Sequence, residues 1–379
     1  MSESVPGQTP SPSSIPRTHL LSNGRYTVML TAAGSGYSQW QGCAITRWRE
    51  DPTRDPWGSY LYLRDVASGA TWSAGYQPVG GAAEAYAVEF KEGQASISRR
   101  DGDIETISQV VVMAGEDAEL RQVTVHNRGS NEALLEFTSY AELVLAPASG
   151  DAAHPAFSKL FVRTEWLPEH ELLLATRRVR TPGDPSACAA QWLEVQGAVE
   201  GDTQWETDRA AFIGRGRDLR APAAMVGQQR LGGTVGTVLD PIFSLRRRVR
   251  VPAGGSASLR LWTLATATRD DALSAAQRCR SAAGKDLIGE AVRQAQASLD
   301  EAGIDALQAR RFQRLGSALL YSDRALRSAP DVIVQGQGGA PTLWAGAISG
   351  DRPIVLVQME DEDGIGLVDE LLSAHAFWA

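Results

Sequence analysis

Between about Leu20 and Thr268, apolar and polar positions alternate in short runs. "RYTVMLT", "SYLYLRD", "QASISRR", "ETISQVVVM", "ELRQVTVH" and "LLEFTSYAELVLA" all follow a period of two, as do "ELLLATRRV", "IFSLRRRVRV" and "SASLRLWTLATAT" further on. Clusters of turn formers, such as "SNG", "RDGD", "AGEDA" and "HNRGSN", separate them. A period of two puts one face of a strand on a core and the other toward water, and many such runs at regular spacing predict an antiparallel sandwich. "AFSKLFVRTEW" reads as a further strand, which would place His154 just before it. The stretch is too long for one immunoglobulin-like unit, so a large two-sheet sandwich is expected over residues 20–268.

The period changes at Arg269. "RDDALSAAQRCRSAAGKDLIGEAVRQAQASLDEAGID" is rich in Ala, and Leu287, Ile288, Ala291, Val292, Ala295 and Leu299 recur at helical spacing. A second helix is predicted from about Asp305 to Ser328, with Phe312, Leu315, Leu319 and Leu320 inward and Pro330 as its stop. Residues 269–329 thus read as a helical linker. Residues 330–379 read as a short α/β tail: a Gly-rich loop, a strand at "PIVLVQM", then a helix that resembles the truncated start of a further unit. Residues 1–19, rich in Ser and Pro, read as a disordered lead-in with neither the basic nor the apolar part of a secretory signal.

Composition narrows the functional classes. The 379 residues carry a formal net charge of -8, which argues against a nucleic-acid partner. No run of eighteen apolar residues offers a membrane span. The three cysteines, Cys43, Cys188 and Cys279, are far apart and odd in number. That favours free thiols in a reducing compartment and a cytoplasmic location. No Cys or His spacing points to a metal site, and no cofactor is expected.

The most unusual chemistry lies in "GSGYSQWQGCAITRWREDPTRDPWG", residues 34–58. Gly34 and Gly36 permit a tight turn. Tyr37, Trp40, Trp48 and Trp57 follow within about twenty residues, interleaved with Arg49, Asp51 and Asp55. Aromatic faces stack on the C–H surface of sugars while charged groups bond hydroxyls, so these residues are candidate carbohydrate contacts. The same inventory also describes a long loop braced from within by Arg–Asp pairs and packed tryptophans.

From "LLSNGRYTVMLTAAGSGYSQW" through "HPAFSKLFVRTEW", "TDRAAFIGRGR", "GGTVGTVLDPIFSLR" and "LWAGAISGDRPIVLV", the chain resembles a segment of bacterial cyclic β-1,2-glucan synthases. The resemblance implies a galactose mutarotase-like β-supersandwich of the kind that precedes the barrel in glycoside hydrolase family 94 phosphorylases. It implies β-1,2-glucan or a related glucoside as ligand, neighbouring catalytic domains as partners, a possible homodimer, and a parent enzyme at the inner membrane. The barrel that carries the phosphorylase acid has no counterpart here, so the expectation is a binding or scaffolding segment without a catalytic acid of its own.

His154 joins the candidate sugar contacts because Asp151 and Lys159 lie beside it in sequence. A self-contained epimerase-type enzyme would pair such a histidine with a carboxylate, Glu142 or Glu165, or use His126. A purely architectural module is the third reading. In "LRRRVRV", Arg246, Arg248 and Arg250 would share one solvated strand face with acidic partners.

Overall fold

The structure, a computed structural model, describes residues 16–179, 186–227, 229–282, 284–321, 326–350, 352–359 and 361–378. In chain order its strands begin β1 (Thr18–Ser22), β2 (Tyr26–Thr31), β3 (Gly36–Trp40), β4 (Cys43–Thr46), β5 (Tyr60–Asp65), β6 (Thr71–Ser73), β7 (Ala85–Lys91), β8 (Gln94–Asp101), β9 (Ile104–Val112), β10 (Ala118–Asn127) and β11 (Ala133–Ala146). Two short helices, α1 (Ala148–Ala153) and α2 (Pro155–Lys159), follow. Then come β12 (Val162–Leu167), β13 (Leu172–Arg177), β14 (Cys188–Gln196), β15 (Ala198–Asp208), helix α3 (Arg209–Ile213), β16 (Pro241–Val251) and β17 (Ser256–Thr266). Helices α4 (Arg269–Ser281), α5 (Leu287–Glu301), α6 (Ala306–Leu320), α7 (Pro330–Gln335), α8 (Ala340–Trp344) and α9 (Ile365–Trp378) complete the order.

The strands form two antiparallel sheets. One has nine strands in the order β1-β2-β3-β4-β11-β16-β15, with β5 and β6 branching from β11; the other runs β12-β13-β14-β17-β10-β9-β8-β7. Their facing sides bury the alternating apolar residues, among them Val28, Leu30, Ile45, Val110, Leu143, Leu173, Ala189 and Leu245. The architecture is the large antiparallel two-sheet sandwich that the alternation predicts.

Alternation does not leave the outer faces wet. On the eight-stranded sheet the outward side chains Leu120, Leu174, Trp192 and Trp262 are apolar, and α4 and α5 cover them with Ala272, Ala275, Ala276, Leu287 and Ala291. On the nine-stranded sheet the outward side of β11 is polar: Glu136, Thr138, Tyr140 and Glu142. It is buried all the same, because α3 and the loop after it pack Phe212, Ile213 and Met225 against Tyr140. Covered polar groups need partners, and this need creates the ionic cluster described below.

Helix α6 closes the exposed edge of β1. Gln313 accepts from the Leu20 amide and donates back to its carbonyl, both at 2.8 Å, and the Ser317 hydroxyl accepts from the Thr18 amide at 3.0 Å. An edge strand presents unpaired amides and carbonyls, and these side chains satisfy them. Asp305 and Gln308 form a capping box that starts α6.

Several expectations are corrected. "PAFSK" is helix α2 rather than strand, so His154 sits between two helical turns. The single helical stretch after Arg269 is two helices, α4 and α5. Pro330 begins α7 instead of ending α6, as suits a residue without an amide donor. Residues 353–359 join no strand and are mostly exposed. Thr18 and His19 already belong to β1; residues 1–15 lie outside the described residues. Arg246, Arg248 and Arg250 share a face and meet Glu136, Glu132 and Glu200, but Arg246 is 1% exposed rather than solvated.

Candidate functional site

Residues 34–58 leave β2 through a tight turn, form β3 and β4, and then cross the end of the sandwich before β5. Gly36 is required at its root. Its φ is +146°, and a Cβ there would lie 1.8 Å from the Met29 carbonyl oxygen. Its amide donates to the Trp57 carbonyl at 2.8 Å, which ties the far end of the loop to the near one.

The aromatic candidates separate into two groups. Trp40 points into the core, 8% exposed, and its indole N–H donates to Asp117 at 2.8 Å. Trp48 is clamped between Tyr37 and Tyr321, with both ring centroids at 5.5 Å; it meets Tyr321 edge-on at 89°. Trp57 is half-buried at the surface, with the Arg49 guanidinium 5.8 Å from its ring centroid. Arg49 keeps 41% of its side chain exposed and reaches Asp151 at 3.8 Å.

The two aspartates are structural anchors. Asp51 accepts from the amides of Thr53 and Arg54 and from the Thr53 hydroxyl, closing an Asx turn. Asp55 occupies left-handed backbone at φ 42°, a region that Asp tolerates better than most residues. Its carboxylate accepts from Tyr321 at 2.7 Å and from Thr31 at 2.8 Å. Burial pushes this carboxyl above its ordinary value, and the two hydroxyl donors oppose the shift without cancelling it.

Beneath the loop lies an ionic cluster that sequence reading did not assemble. Arg47, 3% exposed, grips Asp151 through Nε and Nη2 at 2.9 and 3.0 Å and Glu142 through Nη1 at 2.7 Å. Arg209 reaches Glu142 at 2.7 Å from the other side, Tyr140 donates to it at 2.8 Å, and Lys159 meets Asp240 at 2.7 Å. Asp240 also approaches Arg47 at 3.5 Å. Arg47, Arg209 and Lys159, with Arg49 at the margin, face the carboxylates of Glu142, Asp151 and Asp240. Burial would raise the Glu142 carboxyl, but the Arg209 and Arg47 guanidiniums outweigh it and hold the group below its usual range. A carboxylate held ionised between two guanidiniums is a poor proton donor.

His154, the remaining candidate, is exposed at the junction of α1 and α2. Asp151 and Lys159, its neighbours in sequence, are engaged by Arg47 and Asp240. Glu165, the other carboxylate considered, faces Arg269 at 3.8 Å. Among the described residues the structure therefore brings Tyr37, Trp48 and Asp55 together around Tyr321, and Arg49 beside Trp57. It places Trp40 apart in the core.

Comparison with known proteins agrees with this architecture. Residues 4–282 match the glycosyl hydrolase 94 supersandwich domain family. The cyclic beta-(1,2)-glucan synthase NdvB of Rhizobium meliloti is 39% identical over 362 residues, which is 95% of this chain and 13% of that protein. An N,N'-diacetylchitobiose phosphorylase of Vibrio proteolyticus is 26% identical over 248 residues, 63% of this chain and 29% of that one. A bacterial glucoamylase solved with acarbose overlays 84% of this chain and 40% of its own, at 9% identity and a TM-score of 0.45. The chain thus spans less than a third of the length of either of these curated relatives. By its matched residues and its two-sheet fold, this chain belongs to the glycosyl hydrolase 94 supersandwich family.

Proposed function

We propose that this supersandwich is a non-catalytic segment of a carbohydrate-processing enzyme of the cyclic β-1,2-glucan synthase type. In this reading the edge formed by Trp57 and Arg49, with Asp51 near it in the chain and His154 three positions from the Asp151 that Arg49 approaches, contacts β-1,2-glucan or a related glucoside. The observation that carries the reading is the 39% identity to the glucan synthase along 95% of the chain. The geometry favours this edge because Trp57 keeps part of its surface exposed with Arg49 beside it, whereas the partly exposed Tyr37 and Trp48 are engaged with each other and Trp48 with Tyr321. Trp40 and Asp55 are buried, and Tyr37 and Trp48, partly exposed, pack on each other.

The absence of a catalytic role is supported by the state of the candidate acids and bases. Glu142 and Asp151 are committed to Arg47, and His154 lies exposed at the junction of α1 and α2. Among the described residues, no helix is long and apolar enough to cross a membrane.

Isothermal titration with linear β-1,2-glucan tests the contact. Heat of binding that disappears in Trp57→Ala and persists in Trp40→Phe supports it. A flat titration at millimolar sugar would leave scaffolding of neighbouring domains as the role. Turnover of β-1,2-glucan or of a glucose phosphate by the purified chain, lost in His154→Ala, would overturn the non-catalytic reading.

A further inference from the structure

Between the two sheets, β10 places two charged residues where the alternation calls for apolar ones. Its inward side chains are Glu119, Arg121, Val123 and Val125. Glu119 is fully buried and Arg121 is 8% exposed. Charges this deep persist only when they are paired and their remaining polar atoms are met. The Ser38 hydroxyl donates to one Glu119 oxygen at 2.8 Å, and Arg121 Nη2 donates to the other at 3.0 Å. Arg121 Nη1 donates to the Ser59 carbonyl at 3.0 Å. Ser38 lies on β3 and Ser59 directly precedes β5, so this ion pair on one sheet grips the other sheet on both sides of the crossing loop.

One donor remains. Arg121 Nε–H is buried and has no acceptor among the described residues. Arg121 also lines a cavity of about 30 Å³ between the sheets, together with Ser108 and the apolar side chains of Leu30, Ile97, Val110 and Val123. Ser108 is on the inward face of β9, opposite Val123, and its neighbours on that face, Thr106 and Val110, are buried. Of these three, Ser108 keeps accessible surface, and that surface is cavity wall. Purely apolar cavities stay dry, whereas a polar one needs roughly 10–15 Å³ and two or more partners for a water molecule. Here Arg121 offers a donor, and Ser108 offers both a donor and an acceptor. Glu119 already balances the guanidinium, so the cavity has no surplus positive charge with which to hold an anion. The matching occupant is a small neutral molecule that accepts from one group and bonds the other, and the volume admits about two waters.

We propose that this cavity is a solvent-binding site, with an ordered water that accepts from Arg121 Nε–H and is hydrogen-bonded to Ser108 Oγ, and room for a second beside it. The water completes the interior ion pair. Through Arg121 it supports the grip on Ser59, at the end of the crossing loop, whether or not that loop contacts sugar.

A high-resolution crystal structure of the whole chain, grown with bromide in place of chloride, tests this. The expected result is a water peak within hydrogen-bond distance of both Arg121 Nε and Ser108 Oγ, without anomalous signal. A cavity free of density overturns the proposal. So does an anomalous peak there, which makes the occupant an anion. Glu119→Gln/Arg121→Met exchanges the ion pair for neutral side chains of similar shape, and its crystals should show the same fold with that water lost. A water that stays in place in this variant is not held by Arg121, which overturns the assignment. If the variant does not fold, the wild-type density still decides.

Discussion

Tyr321 and Asp55 are 266 positions apart, and the phenol donates to the buried carboxylate at 2.7 Å. This contact pins the crossing loop to the residue that ends α6, so the helical segment and the sandwich act as one unit there. Tyr321→Phe should cost about 1–2 kcal/mol in urea unfolding. Asp55→Asn should cost less than Asp55→Ala, because Asn tolerates left-handed backbone and keeps one acceptor. A double-mutant cycle between the two positions should return a coupling of about 1 kcal/mol. Burial raises the Asp55 carboxyl, so its favourable contribution is complete below its unfolded value and is lost as pH rises through the folded one. The Asn variant should lack that component of the pH slope.

Trp40 and Trp57 should part company when truncated. Trp40→Ala opens a core cavity and removes one donor from Asp117, which keeps Arg25, for a loss of about 3–5 kcal/mol. Trp57→Ala removes a half-exposed ring and should change stability by about 1 kcal/mol or less. Thermal unfolding of both variants checks the contrast.

Arg47 is the centre of the ionic cluster. Arg47→Met leaves Glu142 and Asp151 buried beside one fewer cation and should cost about 3–5 kcal/mol. Arg47→Lys should recover only part of it, since an ammonium cannot reproduce the side-on grip on Asp151. Glu142 is held low, so its contribution is present above its unfolded value and disappears as pH falls through the folded one. The gap between wild type and Arg47→Met should therefore narrow in acid, as followed by melting temperature.

His19 supplies a separate acid-sensitive element. Its ring stacks on Phe90 at 4.9 Å and Nε2 donates to the Lys91 carbonyl at 2.8 Å. Burial lowers its pKa from 6.5 to about 4, with the Lys91 bond opposing. The unfolded chain takes up the proton first, so this stabilisation is complete above 6.5 and drains away down to about 4. The loss amounts to about 3 kcal/mol. His19→Gln should flatten the stability profile in that window.

Alternation along "QASISRR", "ETISQVVVM" and "ELRQVTVH" anticipated β8, β9 and β10 because the pleat itself sends successive side chains to opposite faces. The apolar stripe on α5 was legible for the equivalent helical reason; Leu287 and Ala291 are buried as it required. "PIVLVQM" misled because a short apolar run carries no record of whether a partner strand lies beside it. "PAFSK" misled because its helical turns are stabilised by distant anchors, with Ser158 held by Arg177.

The chain's own order thus determined which residues face inward, where the β region yields to helices, and that Trp, Arg and Asp crowd residues 34–58. It did not determine what those residues meet. Arg47 finds Asp151 at a separation of 104 positions and Asp240 at 193, and Trp48 finds Tyr321 at 273. Local periodicity sets only the direction in which a side chain leaves the backbone. Whether an outward polar face stays wet or is roofed over, as β11 is by α3 and the loop after it, depends on segments that return from far along the chain. Within residues 34–58 the same holds: Tyr321, returning at the end of α6, engages Trp48 and Asp55, while Trp57 and Arg49 keep part of their surface exposed.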